Sequence, residues 1–434
     1  MRFRRSIGLL AVLVTALCID GLFSVAVTTK SYSESYPAVV CPPTLNGLSS
    51  QISLASKQTP FQKLQNRTTK TEPVKVLRLS VKRDSLVFDS AGVTPVVWQS
   101  KAASWAGGAL CSGPATSQWF VGGTADITTR GRLMIVNSGL SDAVVDVQSF
   151  TENGKQPLRT ITVVSRSYLV ITTDSLAPGD KYLVVHVAPR SGRVNAFMID
   201  EQSKGLSSLG GDLVNFAPTA SKSMMIPAIP HQIKDRSAAL PHTLRVLTPG
   251  DVDANVTAEV LSADGVFVPV GLTSRSISAG IVTEFQITPK ISSTVLAIRI
   301  TSTEPVVAAI KSTVTASGRK DFVWSTSAPA LVPLTIAISG LTPLISFAGE
   351  RINVSLDVTL NNGKVVRKVI KGTEIATWRA PDAARSFTIT KVGPDTFAGA
   401  LVSSVNGYGY FPIAPGSLLT KIELPDSNIR VLNP

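Results

Sequence analysis

Residues 133–154 read LMIVNSGLSDAVVDVQSFTENG, and residues 244–265 read LRVLTPGDVDANVTAEVLSADG. The two align without a gap: Leu133 falls on Leu244, Asp142-Ala143 on Asp253-Ala254, Val145 on Val256 and Gly154 on Gly265. A weaker third copy, INVSLDVTLNNG, occupies residues 352–363. In each, apolar side chains alternate at period two and the run closes on Asn-Gly or Asp-Gly. Alternation turns one face of a strand into a core, and Asn-Gly or Asp-Gly supplies the positive φ of a tight hairpin.

A second element recurs downstream: YLVVHVAPRSGRVNAFMI from Tyr182, VLAIRITSTEPVVAAIKS from Val295 and FTITKVGPDTFAGALVSS from Phe387. Each is an alternating strand, a Pro- or Gly-bearing turn and a second apolar strand. Repeated short strands with turn signals between them predict sandwich modules, each sheet with one buried and one wet face. The expected fold is therefore all-β, with tandem immunoglobulin-like β-sandwich modules behind an N-terminal signal or signal-anchor helix. The expected divisions are residues 1–30 for the export segment, 31–119 for a stalk plus an N-terminal β unit, and modules at 120–235, 236–335 and 336–434. Residues 31–73 are rich in Ser, Thr and Gln and read as irregular.

Composition agrees with this. A chain of 434 residues holds about three domains at about 100–150 residues each. Charged residues make up 16%, below the roughly 25% of ordinary soluble chains. Val, Ile, Thr and Ser recur throughout, which favours strands. The formal net charge of +13 attracts anionic partners or keeps the chain soluble.

The N-terminus sets the compartment. Arg2, Arg4 and Arg5 precede an apolar run from Ile7 to Ile19, and Ser24 and Ala26 are placed as at a cleavage site after Ala26. The same segment, read through to Val27, is also long enough to stay as an anchor. Either way the remainder is outside the cytoplasm, which leaves acidic lipid or cell-wall polymer as anionic partners and no nucleic acid. Cys18 lies in the export segment, leaving Cys41 and Cys111 either paired in an oxidising compartment or as free thiols.

Cys41-Pro42, Trp105, Cys111, the run Trp119-Phe120-Val121-Gly122-Gly123 and the segment Arg132 to Asn137 resemble an actinobacterial family of secreted or membrane-anchored proteins of unknown function. Thr303 to Ala308 and Lys320-Asp321-Phe322 fit the same pattern. The resemblance covers most of the chain beyond about residue 40. It implies an extracytoplasmic β-rich protein, a Cys41–Cys111 disulfide and a link to cell-envelope biology, and it assigns no functional residue.

Motifs for chemistry are sparse. The histidines are His186, His231 and His242, with no Gly-x-Ser-x-Gly elbow beside them for a hydrolase triad. Asp251-Val-Asp253-Ala-Asn255 opens like a calcium loop but has Val256 and Ser262 where Gly and Glu are required, so a loop between strands is expected. Asp212 and Asp321 recur in different modules, where turn or capping roles suffice. Gly107-Gly108, Gly122-Gly123 and Gly210-Gly211 lack a strand-to-helix context for phosphate and are expected in turns or bulges. Lys57, Lys63, Arg67, Lys70, Lys75, Arg78, Lys82 and Arg83 form a basic stretch, read as a solvated stalk or as contact with an anionic surface. Trp98, Trp105 and Trp119 are read as core residues or as a platform for stacking on sugars.

No catalytic, cofactor-binding or metal residues are expected. The functional expectation is a non-enzymatic extracytoplasmic cell-envelope protein, membrane-anchored by its N-terminal segment or secreted. It would be structural or bind a glycan polymer or a protein partner. The alternative is an enzyme or accessory factor in envelope polysaccharide assembly.

Overall fold

Four times along the chain the same set of four strands builds a central sheet; in repeats 1 and 2 a separate outer sheet accompanies it, and in repeats 3 and 4 the outer strands join it through the long strands Val295–Ala316 and Leu344–Leu360. The computed structural model describes residues 32–34, 38–64, 70–417 and 422–424, apart from 91, 127, 206, 218, 236 and 237. The expected signal or anchor segment, residues 1–30, lies outside the described residues. The chain divides into two units. In the first, strand Tyr32–Glu34 pairs antiparallel with Ile422–Leu424. The second, residues 37–418, holds the four repeats.

The central strands of repeat 1 are β1 (Ser49–Ser53), β2 (Arg78–Val81), β3 (Val96–Lys101) and β4 (Trp105–Leu110). Those of repeat 2 are β5 (Arg132–Asn137), β6 (Ser167–Thr172), β7 (Val194–Lys204) and β8 (Ser207–Val214). Repeat 3 has β9 (His242–Leu247), β10 (Thr283–Ile287), β11 (Val295–Ala316) and β12 (Arg319–Thr326). Repeat 4 has β13 (Leu344–Leu360), β14 (Val365–Arg379), β15 (Phe397–Ser403) and β16 (Tyr408–Pro412). In every repeat the first strand pairs with the second and third, and the third pairs with the fourth. The remaining strands form the outer sheets. Among the described residues the one α-helix is α1, Thr173–Leu176, and no helix is long and apolar enough to cross a membrane.

The fourth strands sit innermost. Each of β4, β8, β12 and β16 packs against the next, and β16 packs back on β4, a propeller-like arrangement. The cores follow from it. Met134 and Val136 on β5 pack with Ile52, Val97 and Trp105 of repeat 1, while Leu133 and Ile135 pack with Val145, Val147 and Trp324. Val96, Trp98 and Ala106 of repeat 1 likewise share a core with Phe347 and Phe411 of repeat 4. The inner strands of the central sheets are thus buried on both faces, while the second strands, such as β14, stay largely exposed or half-buried. That corrects the expectation of one wet face per sheet, which holds in the outer sheets, where Val145 and Val147 are buried and Val144 and Asp146 are half-buried. Sheets buried on both faces need near-continuous apolar runs, as in LMIV at 133–136 and VVAAI at 306–310.

Residues 39–63, expected to be irregular, contribute strands Val39–Cys41, β1 and Pro60–Lys63. Their polarity hid the pattern: Ser50 and Ser53 are buried, and the Ser53 hydroxyl donates to the Ser339 carbonyl at 2.7 Å. Backbone pairing also connects the last repeat to the first. Leu334–Ala337 pairs in parallel with Val93–Thr94, and the Gly416 N–H donates to the Thr94 hydroxyl at 2.7 Å.

The hairpins expected from Asn-Gly and Asp-Gly are present, with Gly154 at φ 106° and Gly265 at φ 123°. The aligned aspartates also have one job. Asp142 accepts the Ser165 N–H and Asp253 the Ala279 N–H, each at 2.8 Å, so the calcium-like run is a loop between strands.

Candidate functional site

Four places gather functional side chains: the centre of the inner strands, a histidine pair in repeat 3, and the open ends of the layers between repeats 3 and 4 and between repeats 1 and 2.

At the centre, Asp200 on β7, Asp212 on β8 and Asp321 on β12 are all buried. Asp212 accepts the backbone N–H of Trp324 at 2.7 Å and of Leu213 at 2.8 Å. Asp321 accepts the N–H of Gly211 at 3.1 Å and of Tyr408 at 3.3 Å. Asp200 accepts the Trp324 indole N–H at 2.9 Å. Burial pushes the Asp212 carboxyl well above its usual range, with the charges of Asp321 and Asp200 adding to the shift. Burial pushes Asp321 up to about 7. Lys311, held down by burial, donates to Gln202 at 2.7 Å and lies 4.2 Å from the centre of the Phe322 ring. Arg245, also buried, is paired with Glu284 at 2.6 Å, donates to the carbonyls of Gly123 and Leu183, and stacks over Trp324 at 4.7 Å. The aspartates expected in turns are therefore braces between central strands.

The glycine pairs belong to the same centre. A Cβ on Gly107 would lie 2.5 Å from the Leu213 nitrogen, and one on Gly211 would lie 2.8 Å from the Trp105 ring. Both glycines sit within strands and are required by close approach rather than by a turn.

In repeat 3, His231 Nδ1 and His242 Nε2 are 3.0 Å apart, and His242 Nδ1 is 2.8 Å from the Ser312 hydroxyl. All three side chains are buried. Burial, with His231 adding to it, pushes the His242 imidazole down to about 3. A serine buried in a strand and a neutral imidazole with that affinity for protons make a structural chain of hydrogen bonds, not a nucleophile and its base. His186 stacks on Trp119 at 3.9 Å and is pushed down to about 4 by burial.

The three tryptophans are core residues: Trp105 is 0% exposed, Trp98 6% and Trp119 8%. Rings closed over in this way present no face for a sugar. Cys41 and Cys111 form a disulfide with Cα atoms 4.4 Å apart, fastening the first outer strand of repeat 1 to the end of β4. Of the basic stretch, Lys63 faces Asp84 at 3.9 Å, Lys70 faces Glu72 at 3.1 Å, and the Arg78 guanidinium donates to the Gly340 carbonyl. Arg67 lies outside the described residues. Among the described residues no three His, Cys, Asp or Glu side chains are grouped to hold a metal ion.

Between repeats 3 and 4 lies a cleft of about 470 Å³ that the sequence reading missed. Its walls are Ser223–Met225 from an outer strand of repeat 3, Arg299 on β11, Gly349, Glu350 and Arg351 on β13, Pro394 and Asp395 in the turn before β15, and Phe397 at its start. Met224 and Met225 are buried and Phe397 half-buried, giving an apolar floor. Arg299 is engaged with Glu259 at 3.3 Å and Glu374 at 3.8 Å. Glu350, Arg351 and Asp395 are exposed and make no ion pair among the described residues. Glu374 (φ 60°) and Asp395 (φ 45°) adopt the left-handed conformation, which costs a non-glycine residue about 1–3 kcal/mol. A ladder irregularity between Gly349 and Ile352 interrupts β13 at this place. The signal was weak in sequence because the lining comes from four separated segments.

A family model matches residues 80–367, described as a family of unknown function, DUF5719. The chain belongs to this family. The match runs from repeat 1 into repeat 4, so the DUF5719 segment includes the aspartate braces and part of the cleft. No curated protein matches the chain. A crystal structure of Thermotoga maritima 1070 is similar at 14% identity, covering 24% of this chain and 97% of that one, with a TM-score of 0.22. A crystal structure of a tetra-tandem repeat in the extending region of a large adhesion protein is similar at 11% identity, covering 89% and 94%, with a TM-score of 0.12. Scores this low establish no shared fold.

Proposed function

We propose that this protein is a non-enzymatic extracytoplasmic component of the cell envelope, and that the cleft between repeats 3 and 4 receives a segment of envelope glycan. The observation that carries the reading is the pairing of an apolar floor with unpaired charges of both signs. Arg351 supplies donors for sugar hydroxyls, Glu350 and Asp395 supply acceptors, and Phe397 offers a ring for an apolar sugar face. The cleft volume falls within the roughly 300–1,000 Å³ of small-molecule sites. Export by residues 1–30, with cleavage after Ala26 or retention as an anchor, belongs to the same proposal. So does the reading of each repeat as an immunoglobulin-like sandwich, supported by the pairing of a central with an outer sheet.

The test is calorimetric titration of the chain from residue 31 onward with isolated envelope polysaccharide. Saturable binding that weakens about tenfold or more in Arg351→Ala and Glu350→Ala, at unchanged melting temperature, is the expected result. Binding unaffected by both substitutions would remove the cleft from the reading, and no binding at all would turn the search to a protein partner. The alternative, an enzyme or accessory factor in polysaccharide assembly, draws on Glu350 and Asp395 lining one cleft. Turnover of the polysaccharide that disappears in Glu350→Gln or Asp395→Asn would favour it.

A further inference from the structure

At the open end of the layer between repeats 1 and 2 lies another pocket, of about 340 Å³. Its floor is apolar, formed by Leu45, Leu48, Val170 and Ile199. Its rim carries three cations, Lys101, Arg130 and Arg132, against one carboxylate, Glu201. Arg132 stands opposite Ile199 in the β5–β7 register, and Glu201 lies two residues further along β7 on the same face. Lys101 donates to Glu201 at 2.5 Å, so these two charges cancel. Arg130 has no ion-pair partner among the described residues, and Arg132 donates to the neighbouring Gly131 carbonyl at 2.8 Å. Two guanidinium groups are left over an apolar floor with no counter-anion.

We propose that this pocket binds the phosphate monoester of an amphiphile, its phosphate between Arg130 and Arg132 and its apolar body on Leu45, Leu48 and Val170. Two guanidinium forks present more donors than one carboxylate accepts. A phosphate monoester offers three strong acceptor oxygens and close to two negative charges at neutral pH, which matches the two uncompensated cations. An isolated phosphate would leave most of the pocket filled with water, at about 30 Å³ each, against an apolar floor that gains nothing from it.

The experiment titrates the chain from residue 31 onward with dihexanoyl phosphatidic acid, dihexanoyl phosphatidylcholine, glucose 1-phosphate and inorganic phosphate, at one fixed salt concentration. The phosphatidic acid is expected to bind, with glucose 1-phosphate and inorganic phosphate at least about tenfold weaker and the phosphatidylcholine weaker still. Arg130→Ser, at an exposed position, is expected to weaken phosphatidic acid binding by about tenfold or more without lowering the melting temperature, and Arg132→Ser by a similar factor. The double variant Lys57→Gln, Lys75→Gln removes two exposed charges outside the pocket and is expected to change it less than about twofold. Equal binding by Arg130→Ser, or equal weakening by the Lys57/Lys75 variant, overturns the site in favour of diffuse attraction to a chain of net charge +13. Inorganic phosphate or glucose 1-phosphate binding as tightly as the lipid overturns the role of the apolar floor.

Discussion

The Asp321 carboxylate on β12 accepts the backbone N–H of Gly211 on β8 at 3.1 Å, so one central sheet is tied to the next through a side chain rather than through a strand ladder. Its other oxygen takes the N–H of Tyr408 on β16. One buried acid therefore joins three of the four repeats.

This brace should be sensitive to pH. Burial raises Asp321 in the folded state to about 7 from an ordinary 3.8, so the folded state holds the proton more tightly than the unfolded chain does. The stabilisation is complete below about pH 4 and disappears as pH rises through about 7, amounting to up to about 4 kcal/mol. Asp212, raised by burial, adds to the same slope. His242 works the other way: its pKa, lowered to about 3, gives stability that is present above 6.5 and lost as pH falls. Comparing urea unfolding of wild type and Asp321→Asn from about pH 4.5 to about pH 8 isolates the aspartate, and a stability gap that stays constant with pH would contradict this account.

Close approach at the centre makes Gly107 and Gly211 intolerant of a methyl group. Gly107→Ala meets backbone and Gly211→Ala meets the fully buried Trp105 ring, so each is expected to destabilise by about 3 kcal/mol or more. Gly250→Ala, with nothing within 4 Å of the added carbon, is the control and should stay within about 0.5 kcal/mol. Thermal melts of the three variants check the contrast.

The Cys41–Cys111 disulfide closes a loop of 70 residues within repeat 1. Chain entropy assigns it about 4 kcal/mol. Paired Cys41→Ser, Cys111→Ser substitution is expected to lower the denaturant midpoint, and dithiothreitol should reproduce that shift in the wild type but not in the double variant.

Arg245 is a buried cation whose guanidinium is shared between Glu284 and two backbone carbonyls. Removing it strands the Glu284 charge and two acceptors, so Arg245→Ala should cost about 3–5 kcal/mol. Arg245→Met with Glu284→Gln should cost less than Arg245→Ala alone, because no uncompensated charge remains. Chemical denaturation of the two variants decides it.

Much of the fold was legible because strand alternation and hairpin chemistry are local. The aligned Asp142 and Asp253 could be read as loop residues, and Asn153-Gly154 and Asp264-Gly265 as hairpins. Repeat 1 was harder to see because Ser50 and Ser53 are buried polar positions, Ser53 bonding the distant Ser339 carbonyl, which leaves no apolar pattern. The candidate sites were not legible. The cleft draws its lining from segments around 224, 299, 350 and 395, and the anion pocket from 45, 101, 130, 170 and 201.

By itself the sequence determined an all-β chain with repeated strand and turn units, because period-two alternation and the positive φ of Gly are properties of neighbouring residues. Only the tertiary structure decided what each buried face meets. Leu133 and Met134 are both apolar, yet one packs into the core of repeat 2 and the other into that of repeat 1. Alternation records that a face is covered, not by what. The roles of Gly107, Gly211, Asp212 and Asp321 depend on strands far away in the chain, and no local pattern carries that distance.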